Sequence, residues 1–540
     1  MNPPTEQMPE ELDAVVIGAG FAGLYMCHKL RDELGLRVAV LEAEDGVGGT
    51  WHLNRYPGAR CDIESFVYCY SFSRELYQEW EWSSKYPAQE EILRYLNHVA
   101  DRFDLRRSIR LNTRLTSAEF DGTHWVIACD TGGTLRARFL VTGVGLLASA
   151  PFRPAFPGLE TFRGKWCHTG DWPRVGMELE DLAGKRIGVI GTGSSGVQTI
   201  PVIAEVAERL TVFQRTPQYA IPAQHHTIGP DELRRLRNSY DEVWSAAHSS
   251  LGGFPCDPIP RKVLDDTPEQ RAEEFEKLWA RGGLHFVLAT YKDLLFDIEA
   301  NAPAADFARD KIRERVRDPR MREMLLPPKD QPIGAKRPIV ETDYFETYDR
   351  DNVDLIDIRA DPIVEFTPTG IRTESGDHDL DVIILATGFD AVTGPLLRLN
   401  ITGRDGIPLA DQWAEGPASY MGLAVAGFPN LFTITGPGST FGNIPVVAEH
   451  HIDWISDLIG HMAEAGHTTV EATWDAQRDW TTTMQRLAAK SLIPLADSWS
   501  TGANIPGKPR TVLFYLGAYS TYRRKCNAVA AEGYPGFEFG

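Results

Sequence analysis

No C-x-x-C pair occurs in the chain, and its seven cysteines (Cys27, Cys61, Cys69, Cys129, Cys167, Cys256 and Cys526) are odd in number. A redox dithiol is thereby excluded and a disulfide framework disfavoured, so a reducing, cytoplasmic setting is expected. No run of about 18 apolar residues, the length that crosses a bilayer, is present. The N-terminal stretch MNPPTEQMPEELD is acidic and polar where a secretory signal would be basic and then apolar. A soluble protein with no membrane partner is expected. Positive charge is also short: 55 Lys and Arg against 75 Asp and Glu give a formal net charge of -20. Nucleic acid, which needs a basic face, is not an expected partner. His225, His226 and His285 show none of the spacings of metal ligands, and no metal is expected.

What is present is an ordinary globular composition, 43% hydrophobic and 24% charged, over 540 residues. That length predicts three or four domain-sized units. Asp13 to Ile17 reads as a buried strand running into Gly18-Ala19-Gly20-Phe21-Ala22-Gly23 and a helix to Leu34. Gly18 suits the tight turn, Gly20 lets backbone approach a pyrophosphate, and Gly23 lets helix pack on strand. A second strand, Val38 to Leu41, ends at Glu42, whose carboxylate suits a ribose diol.

The same unit recurs. Arg186 to Ile190 is a strand, and Gly191-Thr192-Gly193-Ser194-Ser195-Gly196 opens a helix to about Arg209. Glu42 and Arg215 each lie 24 residues beyond the first glycine of their unit. A guanidinium in place of a carboxylate binds a 2'-phosphate, so the second site, with Gly191, Gly193, Ser194, Gly196, Arg215 and Thr216, is expected to take NADP.

Just ahead of this second unit stands FRGKWCHTGDWP, Phe162 to Pro173. It resembles the signature of the type I Baeyer-Villiger monooxygenases, with Phe162, Gly164, His168, Thr169, Trp172 and Pro173 in the family's spacing. The resemblance runs from Asp13 to about Phe537 and is nearest to the cyclohexanone monooxygenases. It implies FAD and NADPH as cofactors, with FAD on Gly18, Gly20, Gly23 and Glu42 and under the loop GVGGTWHLNRYPGARCDIES, which carries Trp51 and ends near Asp62. In GAKRP the resemblance implies that Lys336 contacts the nicotinamide nucleotide and that Arg337 is the catalytic cation, held by Asp62. It implies that Ser439, Thr440 and Phe441 face the substrate and that Trp499 sits on a mobile loop, 497–510, turning toward substrate. His168 and Trp172 are expected to couple domain motion to nucleotide binding.

The expected fold is α/β, with two Rossmann-like dinucleotide-binding domains and a helical insertion. Its segments are 1–145 and 387–540 for FAD, 146–229 and 328–386 for NADP, and 230–327, rich in Arg, Glu and Asp, for the insertion, to which no chemistry is assigned. Two facing dinucleotide sites imply hydride transfer from nicotinamide to flavin. Without a dithiol, dioxygen is the natural acceptor. The family then converts a ketone, here expected to be cyclic, to an ester or lactone through a C4a-peroxyflavin. A monomer is favoured. Two alternatives remain at this point: an N-hydroxylating or sulfur-oxidising flavin monooxygenase, and a non-enzymatic NADPH or flavin sensor.

Overall fold

The computed structural model describes residues 10–147 and 151–540. Residues 1–9, most of the polar N-terminal stretch, and the side chain of Pro173 lie outside what is described.

The first sheet is built from β1 (Glu10–Ile17), β2 (Val38–Leu41), β3 (Ile109–Arg110), β4 (Leu115–Phe120), β5 (Trp125–Cys129) and β6 (Thr134–Thr142). Their order is β4-β5-β6-β1-β2-β3. β1 runs parallel to both β2 and β6, with Ile17 opposite Leu41 on one side and Thr142 on the other. The pattern of β6, TLRARFLVT, records its neighbours. It alternates exposed and buried where it pairs antiparallel to β5, then turns continuously buried from Phe139 onward. In that second half Leu431–Thr433 replaces β5 as a parallel partner, returning from far along the chain. Strands covered on both faces need apolar residues at every position, and AVVI in β1 meets that need.

The second sheet consists of β7 (Lys165–His168), β8 (Arg186–Ile190), β9 (Arg209–Gln214), β10 (Val353–Asp357) and β11 (Val382–Leu385). It is wholly parallel in the order β10-β9-β8-β11-β7. The two glycine turns feed α1 (Phe21–His28) and α2 (Ser194–Val206). The first helical run reaches its expected end but changes type, and the second stops short. α1 gives way to a π-turn over Lys29–Glu33, closed by Leu34 N donating to Lys29 O at 3.1 Å. α2 stops at Val206 because Ala207 is extended, and Arg209 already opens β9.

Between β9 and β10 lie six helices in the span 230–327, from Pro230–Asn238 to Pro319–Leu325. Their apolar faces pack Phe275, Trp279, Phe286 and Ala304 against Tyr219 and Ile221. Two C-terminal helices, Trp474–Ala488 and Tyr519–Ala531, and the antiparallel pair Val470–Ala472 with Phe537–Phe539 complete the first domain's side. No helix among the described residues is long and apolar enough to cross a membrane.

The two sheets meet through polar contacts. Gln198 of α2 accepts from Tyr56 Oη at 2.9 Å and donates to the Arg60 carbonyl at 3.1 Å. Arg174, just past the signature, pairs with Glu44, just past β2.

Candidate active site

The two glycine turns repeat each other in detail. A Cβ on Gly23 would lie 1.7 Å from the carbonyl oxygen of Gly18, and one on Gly196 would lie 2.3 Å from that of Gly191. Only glycine lets the helix come this near its own turn. A Cβ on Gly193 would meet no atom within 4 Å, so that side of its backbone faces open space, and Ser194 beside it is exposed at the start of α2. In the first unit Gly20 instead faces Gly49, folded over it from the 46–50 loop and held by Gly48 N donating to Ala19 O at 2.9 Å. Trp51 follows, buried, its indole N–H donating to Tyr68 Oη at 3.2 Å.

Glu42 is buried at the end of β2, where it accepts from Ala19 N at 2.7 Å and Glu44 N at 3.0 Å. Burial pushes its pKa up against the pull of these amides. A carboxylate offers about four acceptor directions, so roughly two remain for a diol. In the second unit Arg215 is exposed directly after β9. Thr216 accepts from Thr192 Oγ1 through its carbonyl at 3.4 Å. Lys336 is half-buried, and its pKa is lowered first by burial and then by the charge of Arg215. Neither cation has a salt-bridge partner among the described residues. Two cations that raise each other's energy form a cradle for a shared anion, and the chemistry of this donor set fits a 2'-phosphate.

Between the two units, Arg337 Nη2 donates to both oxygens of Asp62, at 2.7 and 2.5 Å. Burial would lower the arginine's pKa, but the charge and hydrogen bonds of Asp62 outweigh it, and the guanidinium is held above its ordinary value. Its Cζ lies 5.4 Å from the ring centre of Phe441. Phe441 in turn packs on Trp499 at 5.5 Å, edge to face, and on Phe514 at 4.9 Å. Ser439 is buried and donates to the Gly436 carbonyl. The hydroxyl of Thr440, equally buried, has no partner. The chain thus brings Asp62, Arg337, Phe441 and Trp499 into one cluster, with an unsatisfied hydroxyl next to it in sequence. The loop 497–510 is tied at its far end, where Lys508 Nζ meets Asp390 at 2.6 Å and Asn504 donates to the Phe389 carbonyl.

The signature stands apart from this cluster. Phe162 packs with Ile190, Phe213 and Phe366, and Gly164 lies against the Asp381 carbonyl, 2.3 Å from where a Cβ would be. His168 is fully buried, accepts from Gly170 N at Nδ1, and sits edge-on to Phe389 at 5.2 Å. Burial pulls its pKa down to about 4. Thr169 Oγ1 donates to Ser195 Oγ on α2 at 3.3 Å, and Trp172 is buried in the second domain's core. His168 therefore touches the turn 386–390 that joins the domains.

Three contacts were not foreseen from sequence: Glu44 with Arg174, Lys508 with Asp390, and a buried pair between Glu64 and His285. The signals were an acid and a base next to recognised motifs, which spacing alone cannot pair. Among the described residues no group of three or more His, Cys, Asp or Glu gathers as a metal site.

Two glycine-turn domains facing across a half-buried Arg–Asp pair, with no dithiol, define a two-dinucleotide flavoprotein of the monooxygenase class. Residues 15–250 match the family described as pyridine nucleotide-disulphide oxidoreductase. Over 534 residues the chain is 45% identical to a Baeyer-Villiger monooxygenase of Pseudooceanicola batsensis, covering 98% of this chain and 96% of that protein. It is 42% identical over 529 residues to a phenazine N-monooxygenase of Lysobacter antibioticus, covering 97% and 96%. Among solved structures, an oxidized steroid monooxygenase bound to NADP is 47% identical with a TM-score of 0.93, over 98% of this chain and 99% of that one. A closed cyclohexanone monooxygenase is 44% identical with a TM-score of 0.95, over 99% and 100%. The chain belongs to the Baeyer-Villiger monooxygenases.

Proposed function

We propose that this enzyme converts cyclic ketones to lactones, using NADPH and dioxygen, with Arg337 as the catalytic cation and Asp62 as the residue that holds it. FAD, reduced by NADPH, supplies the electrons that activate dioxygen when bound. Everything else falls to the chain's own residues. Gly18, Gly20, Gly23, Glu42 and Trp51 hold the flavin nucleotide. Gly191, Gly193, Ser194, Gly196, Arg215, Thr216 and Lys336 hold the nicotinamide nucleotide. Ser439, Thr440, Phe441 and Trp499 line the substrate's side of the site, the last as a lid.

The single observation that carries this reading is the two-point grip of Asp62 on Arg337 beneath Phe441. Ester formation needs negative charge to build up on oxygen in a site closed to water. A guanidinium fixed in advance stabilises that charge without reorganising, and removing one such donor typically costs about 3 to 4 kcal/mol of barrier. Its two contacts to Asp62 use only part of the fork, leaving other N–H groups for oxygen. His168 and Trp172 act on the joint between domains rather than on the carbonyl. The residues also suit a cytoplasmic enzyme, since every cysteine is free and buried.

A second reading, N-oxidation, is favoured by the 42% identity to the phenazine N-monooxygenase. The test is to incubate the purified yellow protein with NADPH, air and parallel panels of cyclic ketones, amines and sulfides, and to identify products. Lactones from the ketones support the proposal. Efficient amine or sulfide oxidation with no lactone would transfer the assignment to the second reading.

A further inference from the structure

Two residues next to the substrate side of the site hold backbone that side chains rarely adopt. Thr435 and Met421 both lie in the left-handed region, at φ 56° and 57°. Neither is glycine, and a β-branched residue there is strained. A single hydrogen-bonded relay holds both. His451, on the helix Ile444–Ala465, accepts from Thr435 N at Nδ1, 3.0 Å away, and its Nε2 lies 3.0 Å from Tyr522 Oη. Tyr522 Oη donates in turn to the Met421 carbonyl at 2.6 Å. Because Nδ1 accepts an amide proton and burial pulls the imidazole pKa well down, the ring is neutral with its one proton on Nε2. The bonds therefore run in one direction, from the Thr435 amide through both side chains to the Met421 carbonyl. Both side chains are fully buried, so solvent does not replace a link that is cut.

The two strained turns interlock. A Cβ on Gly422, next to Met421, would lie 2.2 Å from Ser439 N. Thr433 Oγ1 donates to the Gly422 carbonyl at 2.8 Å, and Ser419 Oγ donates to the Pro437 carbonyl at 2.6 Å. Thr435 opens the stretch that runs through Gly436, Pro437 and Gly438 into Ser439, Thr440 and Phe441, and the Phe441 ring centre is 5.4 Å from Arg337 Cζ. The far side of that stretch is tied elsewhere, with Gly438 N donating to Leu513 O and Tyr515 N to Ser439 O, both at 2.9 Å. The relay sets its near side.

We propose that His451 and Tyr522 are positioning residues: by holding Thr435 and Met421 in left-handed backbone, they set where Ser439, Thr440 and Phe441 meet the ketone. Strained backbone persists only where its surroundings over-determine it. With the relay cut, Thr435 and Met421 relax toward ordinary backbone, and the turns shift against Ser439. The side of an unsymmetrical ring that receives the oxygen changes with them.

This inference rests on the substrate-side role proposed for Ser439, Thr440 and Phe441, and the experiment separates the two. With 3-methylcyclohexanone as probe, the ratio of the two lactone regioisomers and KM for ketone and for NADPH are measured. The proteins are the wild type, Tyr522→Phe, His451→Leu, Thr435→Gly, Thr435→Gly/His451→Leu and Phe441→Ala, with bound FAD and anaerobic reduction by NADPH followed in each. Tyr522→Phe and His451→Leu should each change the regioisomer ratio and raise KM for ketone by about threefold or more, with KM for NADPH unchanged. Glycine holds left-handed backbone with no relay, so in the Thr435→Gly background His451→Leu should move the ratio by less than about 1.5-fold. A packing role alone would leave that double variant at least as far from the wild type as His451→Leu, and would overturn the proposal. So would wild-type ratio and KM in Tyr522→Phe and His451→Leu, or loss of FAD from both. Should His451→Leu alone lose FAD, Tyr522→Phe, which keeps the ring, decides by itself. If the wild type forms no lactone, or Phe441→Ala keeps the wild-type ratio and KM, the substrate-side reading falls and this inference falls with it. A shift in Phe441→Ala with none in the relay variants overturns this inference alone.

Discussion

At the residue scale, charge decides most of what the site does. Arg215 and Lys336 raise each other's energy until an anion joins them, so Arg215→Ala should raise KM for NADPH by about 10- to 100-fold, the worth of a charge-assisted contact, and leave KM for NADH nearly unchanged. Steady-state kinetics with both nucleotides checks this, and equal use of the two by the wild type would contradict it. His168 makes a second prediction. Burial holds its pKa near 4, against an ordinary value of 6.5, so the unfolded chain binds the proton more readily than the fold. The fold's advantage is complete above about pH 6.5 and is lost as pH falls toward 4. Relative to His168→Asn, which still accepts from Gly170 N but does not titrate, the wild type should lose about 2 kcal/mol between pH 7.5 and 5. Thermal unfolding of both proteins at the two pH values measures it, and a constant gap would show the imidazole to be solvated. The Arg337–Asp62 pair is legible only through family resemblance, because the partners lie 275 positions apart and a Lys-Arg dipeptide alone reads as surface. Arg215 is legible from spacing alone, since the repeated unit fixes which position answers to Glu42.

At the scale of elements, the glycine turns carry the clearest expectation. Gly196→Ala places a methyl 2.3 Å from the Gly191 carbonyl, and neither backbone can yield, so it should weaken NADPH binding while FAD content stays full. Gly23→Ala, at 1.7 Å from the Gly18 carbonyl, should do the reverse and yield protein short of flavin. Flavin absorbance and NADP affinity separate the two cases, and loss of both cofactors in either variant would mean global unfolding instead. Strand and turn were readable here because period, glycine spacing and a terminal acid or base agree. The C-terminal helices were missed although their spacing is present: Tyr519, Tyr522 and Cys526 are the buried face of Tyr519–Ala531, and Thr473 caps Trp474–Ala488 by accepting from Ala476 N. The π-turn after α1 was not readable, since one extra backbone residue leaves no side-chain signal.

At the scale of the molecule, the two sheets are joined by polar contacts and by Tyr56 packed on the second domain's core, and the Arg337–Asp62 pair spans the joint. Glu44 follows the first ribose-side strand, and Arg174 follows the signature, so their pair ties the flavin half to the nicotinamide half. The signature itself packs on the turn 386–390, and the loop 497–510 is latched to the same turn by Lys508. The loop 497–510 and the signature therefore share one anchor, the turn 386–390. None of this geometry matters unless the cation at the centre directs electrons into product. The most direct measurement is ester and hydrogen peroxide formed per NADPH consumed, in the wild type and in Arg337→Ala, with anaerobic flavin reduction as the control. Both nucleotide sites survive in the variant, so NADPH should still reduce the flavin. Ester should fall below detection, a drop of at least about a hundredfold, and peroxide should account for the NADPH. A near-normal ester yield in Arg337→Ala would contradict the assignment and place the catalytic charge elsewhere.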